Sequence, residues 1–353
     1  MIGKKVSNGW KTFGLRGRIR LFRLVVENRE GRVGCMNNAD FKRFLVTGAT
    51  GFLAHHLLPI LRREFPESEI VPVSRADADL LEPGAPAALL AKVKPDCVIH
   101  MAAKSGGILT NRLHPADFFY ENLCMNLHML HESQRAGVRK FVTFMGGCSY
   151  PHDAVSPIGE DQMWNGFPQI ESAGYSVAKK MLLVQSWAYR VQHGFNSVVL
   201  IPGNVYGEWD NFNLEQAHVI PALVRKYIEA ADRGDASVRA FGTGKPTRDF
   251  VYAGDVMATV PWFIRHYDSS EPVNISAGRR ISIRELAESV REATGFRGEI
   301  VWDTTQPDGQ MDKIFDVTRL HSLGLSCDTP LAVGLKRTAD WFRAARESGD
   351  VRL

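Results

Sequence analysis

An α/β fold built on a doubly wound parallel sheet is predicted from three observations. The first is Phe41–Ala54. There the uncharged apolar run Phe44-Leu45-Val46 enters a glycine turn, Thr47-Gly48-Ala49-Thr50-Gly51, and leaves on a helical pattern of Leu53, Leu57, Leu58, Ile60 and Leu61. Strand, turn and helix in that order open a βαβ unit, and the run reads as a strand buried on both faces. The second is a series of further strand-length apolar runs separated by helix-length segments. The third is a loosening of that alternation after Gly207, which predicts a smaller α/β lobe interleaved with the first. The sheet expected is Rossmann-like.

The domains expected are a basic, disordered tail over 1–38, a dinucleotide-binding domain over 39–203 and mainly a substrate-binding lobe over 204–353. In the tail, nine cations face Glu27 and Glu30 within residues 1–35 of a 353-residue chain of net charge +4, so the remainder is acidic. The basic balance therefore belongs to the tail and gives no support to nucleic-acid binding. A start at Met36 is one reading of that tail, and an arm for a membrane or an acidic partner is another. No apolar run is long enough to span a bilayer. The five cysteines, Cys35, Cys97, Cys124, Cys148 and Cys327, fit neither a disulfide framework nor a zinc site, so no metal is expected and a reducing cytoplasm is the simplest setting.

Ile70-Val71-Pro72-Val73-Ser74-Arg75 reads as the second strand. An acid at its end would accept from the ribose hydroxyls of NAD, whereas Ser74 and Arg75 suit a 2′-phosphate and so NADP. Arg75 is equally read as a solvated surface residue. Asp79, before Leu80, either meets an adenine amine or caps a turn. Asp96–Ala103 is a buried strand whose small end residues, Ala102 and Ala103, let backbone approach a ligand. Lys104–Ile108 is a loop at the sheet edge where ligands sit, and a long helix covers Pro115 to Ala136. Phe141–Met145 is the next strand, running into Gly146–Pro151. Tyr175 and Lys179, four apart, share one helical face. An ammonium there would lower the phenol pKa, although a surface pair has the same spacing. Ser197–Ile201 is a strand followed by Pro202–Gly207. Asp249–Thr259 and Val273–Ser276 are expected to return to the main sheet. Amphipathic helices are expected at Ile283–Thr294 and Leu331–Arg343.

TGATGFLA, HMAA, YSVAK and PGNVYG in this order resemble the extended short-chain dehydrogenase/reductase superfamily, also called the NAD-dependent epimerase/dehydratase superfamily. AAKSGGI, HPADFFYEN, GGCSYP, WDNFN, AHVIPALVRK, GTGKPTRDF, QPDGQMDKIFDVTRL and LGL resemble the GDP-L-fucose synthase family within it, from about residue 41 to 343. The resemblance implies 3,5-epimerisation and NADPH-dependent 4-keto reduction of GDP-4-keto-6-deoxy-mannose or a close relative, with NAD as the alternative cofactor. It makes Tyr175 the acid at the carbon-4 oxygen, Lys179 the holder of the nicotinamide ribose, and Cys148 and His218 the epimerisation pair. Thiol and imidazole titrate near enough to neutrality to move a proton beside a ketone. Gly48, Thr50, Gly51, Phe52, Leu53, Arg75, Asp79, Leu80, Ala102, Ala103, Pro202, Asn204, Val205 and His218 are the implied cofactor set, with Tyr175 and Lys179. Asn204, Lys226, Phe241, Arg248 and Lys313 are the implied substrate set, Lys226 standing where the family often has Arg. A homodimer through the helices near Tyr120–Ala136 and Tyr175–His193 is implied as well.

One position departs from the pattern. The superfamily usually carries Ser or Thr where this chain has Gly146, followed by Gly147. Loss of one oriented donor at developing charge costs about 2.7–4 kcal/mol. Ser149, Thr143 or a water would have to stand in, or the glycines make room for another substrate. An epimerase without reduction, or one of different sugar specificity, is therefore a second expectation. A 4,6-dehydratase is disfavoured by Gly-Gly-Cys at the strand end. A non-catalytic NADP-binding regulator is disfavoured by retention of Tyr175, Lys179, Cys148 and His218.

Overall fold

The structure, a computed structural model, describes residues 41–306 and 308–353. The tail expected over 1–38 lies outside them. Residues 41–353 form one compact unit.

Five strands alternate with helices in the first half: β1 (Arg43–Thr47), β2 (Glu69–Val73), β3 (Cys97–His100), β4 (Lys140–Phe144) and β5 (Ser197–Pro202). The chain then forms β6 (Asn204–Tyr206), β7 (Ser237–Phe241), β8 (Thr247–Arg248), β9 (Phe250–Tyr252) and β10 (Val273–Ile275). Strands β11 (Ile281–Ser282), β12 (Glu299–Asp303) and β13 (Asp312–Lys313) complete it. The central sheet is parallel and runs β10-β5-β4-β3-β1-β2. The order reverses beside β1, leaving a crevice at the carboxyl ends of β1 and β3, which is where such sheets hold ligands.

The uncharged runs form strands because both faces are covered. Side chains alternate across a strand, and β1 sends Phe44 and Val46 to one core and Leu45 to the other. Phe44 and Val46 pack with Leu57 and Leu61 of the helix Phe52–Glu64 and with Val260 and Phe263 of the helix Ala253–His266. Leu45 packs with Leu90, Val98, Met129 and Phe141. A further core outside the main sheet joins Val224 and Ile228 of the helix Val219–Arg233 to Leu286, Val290, Leu335 and Phe342. The helices Ile283–Thr294 and Leu331–Ser348 supply those last four residues.

The strand within Asp249–Thr259 does not join the main sheet, contrary to expectation. β9 pairs in parallel with β6 in a separate two-stranded sheet. The cause lies at Gly203, where the chain steps off β5. A Cβ there would lie 2.1 Å from Ser276 Oγ, so the backbone crosses β10 closely and carries Asn204 away from the ladder. Val251 of β9 and the helix that follows it pack against the core of the central sheet, whereas β10 is the edge strand of that sheet. Among the described residues, no helix is long and apolar enough to cross a membrane.

Candidate active site

The glycine turn sits at the head of a cleft of about 1410 Å³. Gly48 has φ +71°, and a Cβ on it would stand 2.7 Å from the Ala102 amide nitrogen. Only glycine fits, and β3 comes close because Ala102 and Ala103 are small. Gly51 starts the helix Phe52–Glu64 with no side-chain cap. The amides of Thr50, Phe52 and Leu53 therefore have no acceptor among the described residues. Uncapped amides at a helix start suit a diphosphate, so the turn fits a dinucleotide cofactor. Beyond β2, Arg75 pairs with Asp79 at 2.9 Å, and Ser74 donates through its amide and hydroxyl to Asp77. Arg75 remains exposed in the cleft lining beyond β2.

The helix Ala173–His193 opens with Tyr175 and Lys179 facing the same cleft. Lys179 is buried and Tyr175 half-buried, and the Phe118 ring meets the Tyr175 ring edge-on at 6.5 Å. Burial lowers the Lys179 ammonium to a pKa of about 8, a shift that a negative Cys148 opposes. The expected lowering of the Tyr175 pKa is not found. Burial pushes the phenol well above its ordinary value, and Cys148 adds to the rise. Desolvation is the larger cause at both groups and penalises the charged form of each. A phenol so held stays protonated, as a proton donor must.

Cys148 follows the glycine pair on a short turn after β4. Its Sγ stands 3.1 Å from the point a Gly146 Cβ would occupy, and the Tyr175 hydroxyl stands 3.5 Å from that point. Phe315 fills the neighbouring position, its ring 2.4 Å from a Gly147 Cβ. Phe315 therefore closes the space beside Gly147, whereas a Cβ on Gly146 would meet the Cys148 thiol at 3.1 Å and the Tyr175 ring at 3.2 Å. Neither expected substitute for the absent serine reaches the cleft. Thr143 donates to the His100 carbonyl inside the sheet, and Ser149 is fully buried away from the cavity.

Lys313 and Arg248 are direct register partners on β13 and β8. Burial lowers both pKa values; Cys148 opposes this at Lys313 and Asp312 at Arg248. Two adjacent cations that repel one another are preorganised for a dianion. His218 lies at the start of the helix Val219–Arg233, exposed on the wall of the cleft, and partial desolvation there lowers its pKa. Asn204 donates its amide N–H to the Asp249 carbonyl at 2.8 Å. That leaves its side-chain oxygen without a partner among the described residues. Pro202, Val205, Leu80 and Phe241 also line the cleft. Lys226 is the one expected residue that does not. It stands 4.9 Å over the ring of Phe241, which does line the cavity.

Sequence reasoning missed Asp210, Gln216, Asp308 and Arg352 in the lining. Burial pushes the Asp210 carboxyl up to about 7, and its Oδ2 has no partner. Asp210 lay within a stretch that carried the resemblance, but no spacing marked it as chemical.

A doubly wound sheet with a glycine turn, and a tyrosine–lysine pair one strand end away, define a dinucleotide-dependent enzyme of the short-chain dehydrogenase/reductase type. The chain belongs to the NAD dependent epimerase/dehydratase family, whose model matches residues 44–277. It is 38% identical to a GDP-L-fucose synthase of Sinorhizobium fredii over 86% of this chain and 96% of that one. It is 32% identical to the GDP-L-fucose synthase of Escherichia coli K12, over 78% and 88%. A GDP-L-fucose synthetase from Naegleria fowleri bound to NADP superimposes with a TM-score of 0.80 at 30% identity, covering 88% of this chain and 96% of that one. A GDP-6-OMe-4-keto-L-xylo-heptose reductase from C. jejuni gives 0.80 at 26% identity, over 88% and 99%.

Proposed function

We propose that this chain is an NADPH-dependent epimerase/reductase of a GDP-linked 4-keto sugar, GDP-4-keto-6-deoxy-mannose or a close relative. The observation that carries this reading is the convergence of Cys148, Tyr175, Lys179 and Lys313 in one cleft with the glycine turn. NADPH, when bound, supplies the hydride. The residues do the rest. Thr50, Phe52 and Leu53 offer amides to the diphosphate, Arg75 a cation to the 2′-phosphate, and Lys179 holds the nicotinamide ribose. Arg248 and Lys313 hold the sugar's diphosphate. Cys148 and His218 take and return the protons at carbons 3 and 5, which are acidic because the adjacent ketone delocalises the carbanion as an enolate. Tyr175 then gives its proton to the carbon-4 oxygen.

The absence of a hydroxyl at Gly146 favours a second reading, in which epimerisation outruns reduction. The two are separated by one reaction in D2O with the GDP-keto sugar, with and without NADPH. Deuterium entry with NADPH oxidation supports the first reading, and entry without oxidation supports the second. Neither signal would overturn both.

The same reading includes a homodimer and a cytoplasmic setting. Tyr120 and Leu127 on the helix Pro115–Arg135 and Val184 and Val191 on the helix Ala173–His193 are exposed apolar side chains. These helices pack on one another, so together they offer one apolar face to a second copy.

A further inference from the structure

The segment 351–353 runs back beside the loop 210–212. The Phe212 amide donates to the Arg352 carbonyl at 3.0 Å, and Asn211 and Arg352 form a parallel bridge. This anchors the Arg352 backbone to the second lobe and lays its side chain across the glycine turn. There Nη2 donates to the Thr50 carbonyl. Nε and Nη1 have no partner among the described residues. Arg352, Thr50, Gly51, Phe52 and Asp210 line the same part of the cleft. The guanidinium charge reaches both His55 and Asp210: it adds to the lowering that burial causes at His55 and opposes the rise that burial causes at Asp210.

We infer that Arg352 is a cofactor-binding residue that grips the dinucleotide's diphosphate from the side opposite the helix amides. The inference rests on the NADPH reading above. The amides of Thr50, Phe52 and Leu53 approach a diphosphate from one side and supply only partial charge. A dianion in a half-enclosed cleft needs a full cation on its open side, and a guanidinium with two free nitrogens provides a directional one. The carbonyl of Thr50 holds that guanidinium beside the turn already, so little side-chain freedom is lost on binding. Arg75 lies beyond β2 at the adenosine end, so the two arginines address different phosphates. The anchor at residue 352 is its own backbone carbonyl, which a side-chain substitution leaves in place.

The test titrates full-length wild type, Arg352→Gln, Arg352→Lys and Arg75→Gln with NADPH and with NADH, followed by nicotinamide fluorescence in the absence of sugar. Arg352→Gln is expected to weaken both dinucleotides by the same factor, roughly tenfold for one charge-assisted contact. Arg352→Lys should recover most of that loss, and the salt dependence of binding should be shallower in the glutamine variant. Arg75→Gln should weaken NADPH alone. Unchanged affinity of Arg352→Gln for both dinucleotides would overturn the assignment. So would a loss confined to NADPH, which would move the contact to the 2′-phosphate. Equal losses in the Lys and Gln variants with a lowered unfolding midpoint would reduce Arg352 to a structural tether and overturn it too. Wild type that binds neither dinucleotide would bring down the cofactor reading itself, an outcome distinct from all of these.

Discussion

Gly146 leaves Tyr175 without a neighbouring hydroxyl: a Cβ on Gly146 would stand 3.5 Å from the phenol oxygen, beside Cys148 Sγ. A serine at that position would aim its oxygen at the place where carbon-4 charge develops. Gly146→Ser is therefore expected to raise NADPH oxidation by roughly a hundred- to thousandfold, the worth of one oriented donor. Deuterium entry at carbons 3 and 5 should stay within about threefold, since that step does not develop charge at the same oxygen. Single-turnover NADPH oxidation beside the exchange assay reads both. An unchanged oxidation rate would mean that another donor already serves the oxygen.

Cys148→Ser is expected to cut deuterium entry by roughly a hundred- to ten-thousandfold, the usual worth of a positioned acid or base. NADPH affinity should not move, because the thiol is assigned to the sugar. Tyr175→Phe should do the reverse to the chemistry, sparing exchange and stopping nucleotide oxidation. Parallel loss of both signals in both variants would contradict the division of labour between thiol and phenol.

Burial sets the Lys179 ammonium near pH 8, so its charge is present below that value and lost above it. NADPH binding should weaken as pH rises through about 8, and Lys179→Arg should remove that step because a guanidinium does not deprotonate there. The stability contribution has the opposite sign. Between about 8 and the ordinary lysine value of 10.5 the unfolded chain holds the proton and the folded chain does not. The penalty for burying this ammonium is therefore full below pH 8 and relieved as pH rises through that window. NADPH titrations and urea midpoints from pH 7 to 10 on wild type and variant measure the two effects.

Gly147→Ala sets a methyl 2.4 Å from the Phe315 ring, which is buried and packed against Tyr150. A loss of about 1–3 kcal/mol of stability is expected from overpacking. Adding Phe315→Leu should restore part of it, and urea unfolding of the single and double variants would show the coupling. Strictly additive losses would mean that the ring is not what excludes the side chain.

A charge placed on the exposed apolar face, as Leu127→Arg, is expected to convert a dimer to monomer in light scattering without altering the fold read by circular dichroism. A wild-type chain that is monomeric at micromolar concentration would end the dimer proposal.

The strands of the first half were legible because each is covered on both sides, and a covered strand is an uncharged apolar run. Phe44, Val98 and Val142 carry no exposed surface at all. Pairing was less legible than existence. Phe250–Tyr252 is apolar enough for the main sheet, yet the step at Gly203 gives it Asn204–Tyr206 as its partner. At the site, residues that act through local spacing could be read, as with Tyr175 and Lys179 one helical turn apart. Effects that depend on burial could not: the rise of the Tyr175 pKa comes from desolvation in the assembled fold, with Cys148 from another segment adding to it. Lys226 illustrates the same limit, since only the fold shows it over the Phe241 ring and outside the cleft lining. Asp210 and Arg352 are far apart in the chain and become neighbours through a backbone bond at residue 212.

The edge strand β10 has a consequence for how the chain acquires its structure. The sheet that begins at Arg43 is not closed until Val273–Ile275 has been made, with part of the second lobe intervening. Until then β5 presents an unpaired edge, and the apolar surface later covered by Val260 and Phe263 stays open to solvent. A fragment ending near residue 203 would therefore be a template for edge-to-edge aggregation rather than a separable nucleotide-binding module. On the ribosome, the first half must wait for about 70 further residues, several seconds of synthesis at the usual pace. Such a long-range closure costs loop entropy before it is repaid, which slows folding.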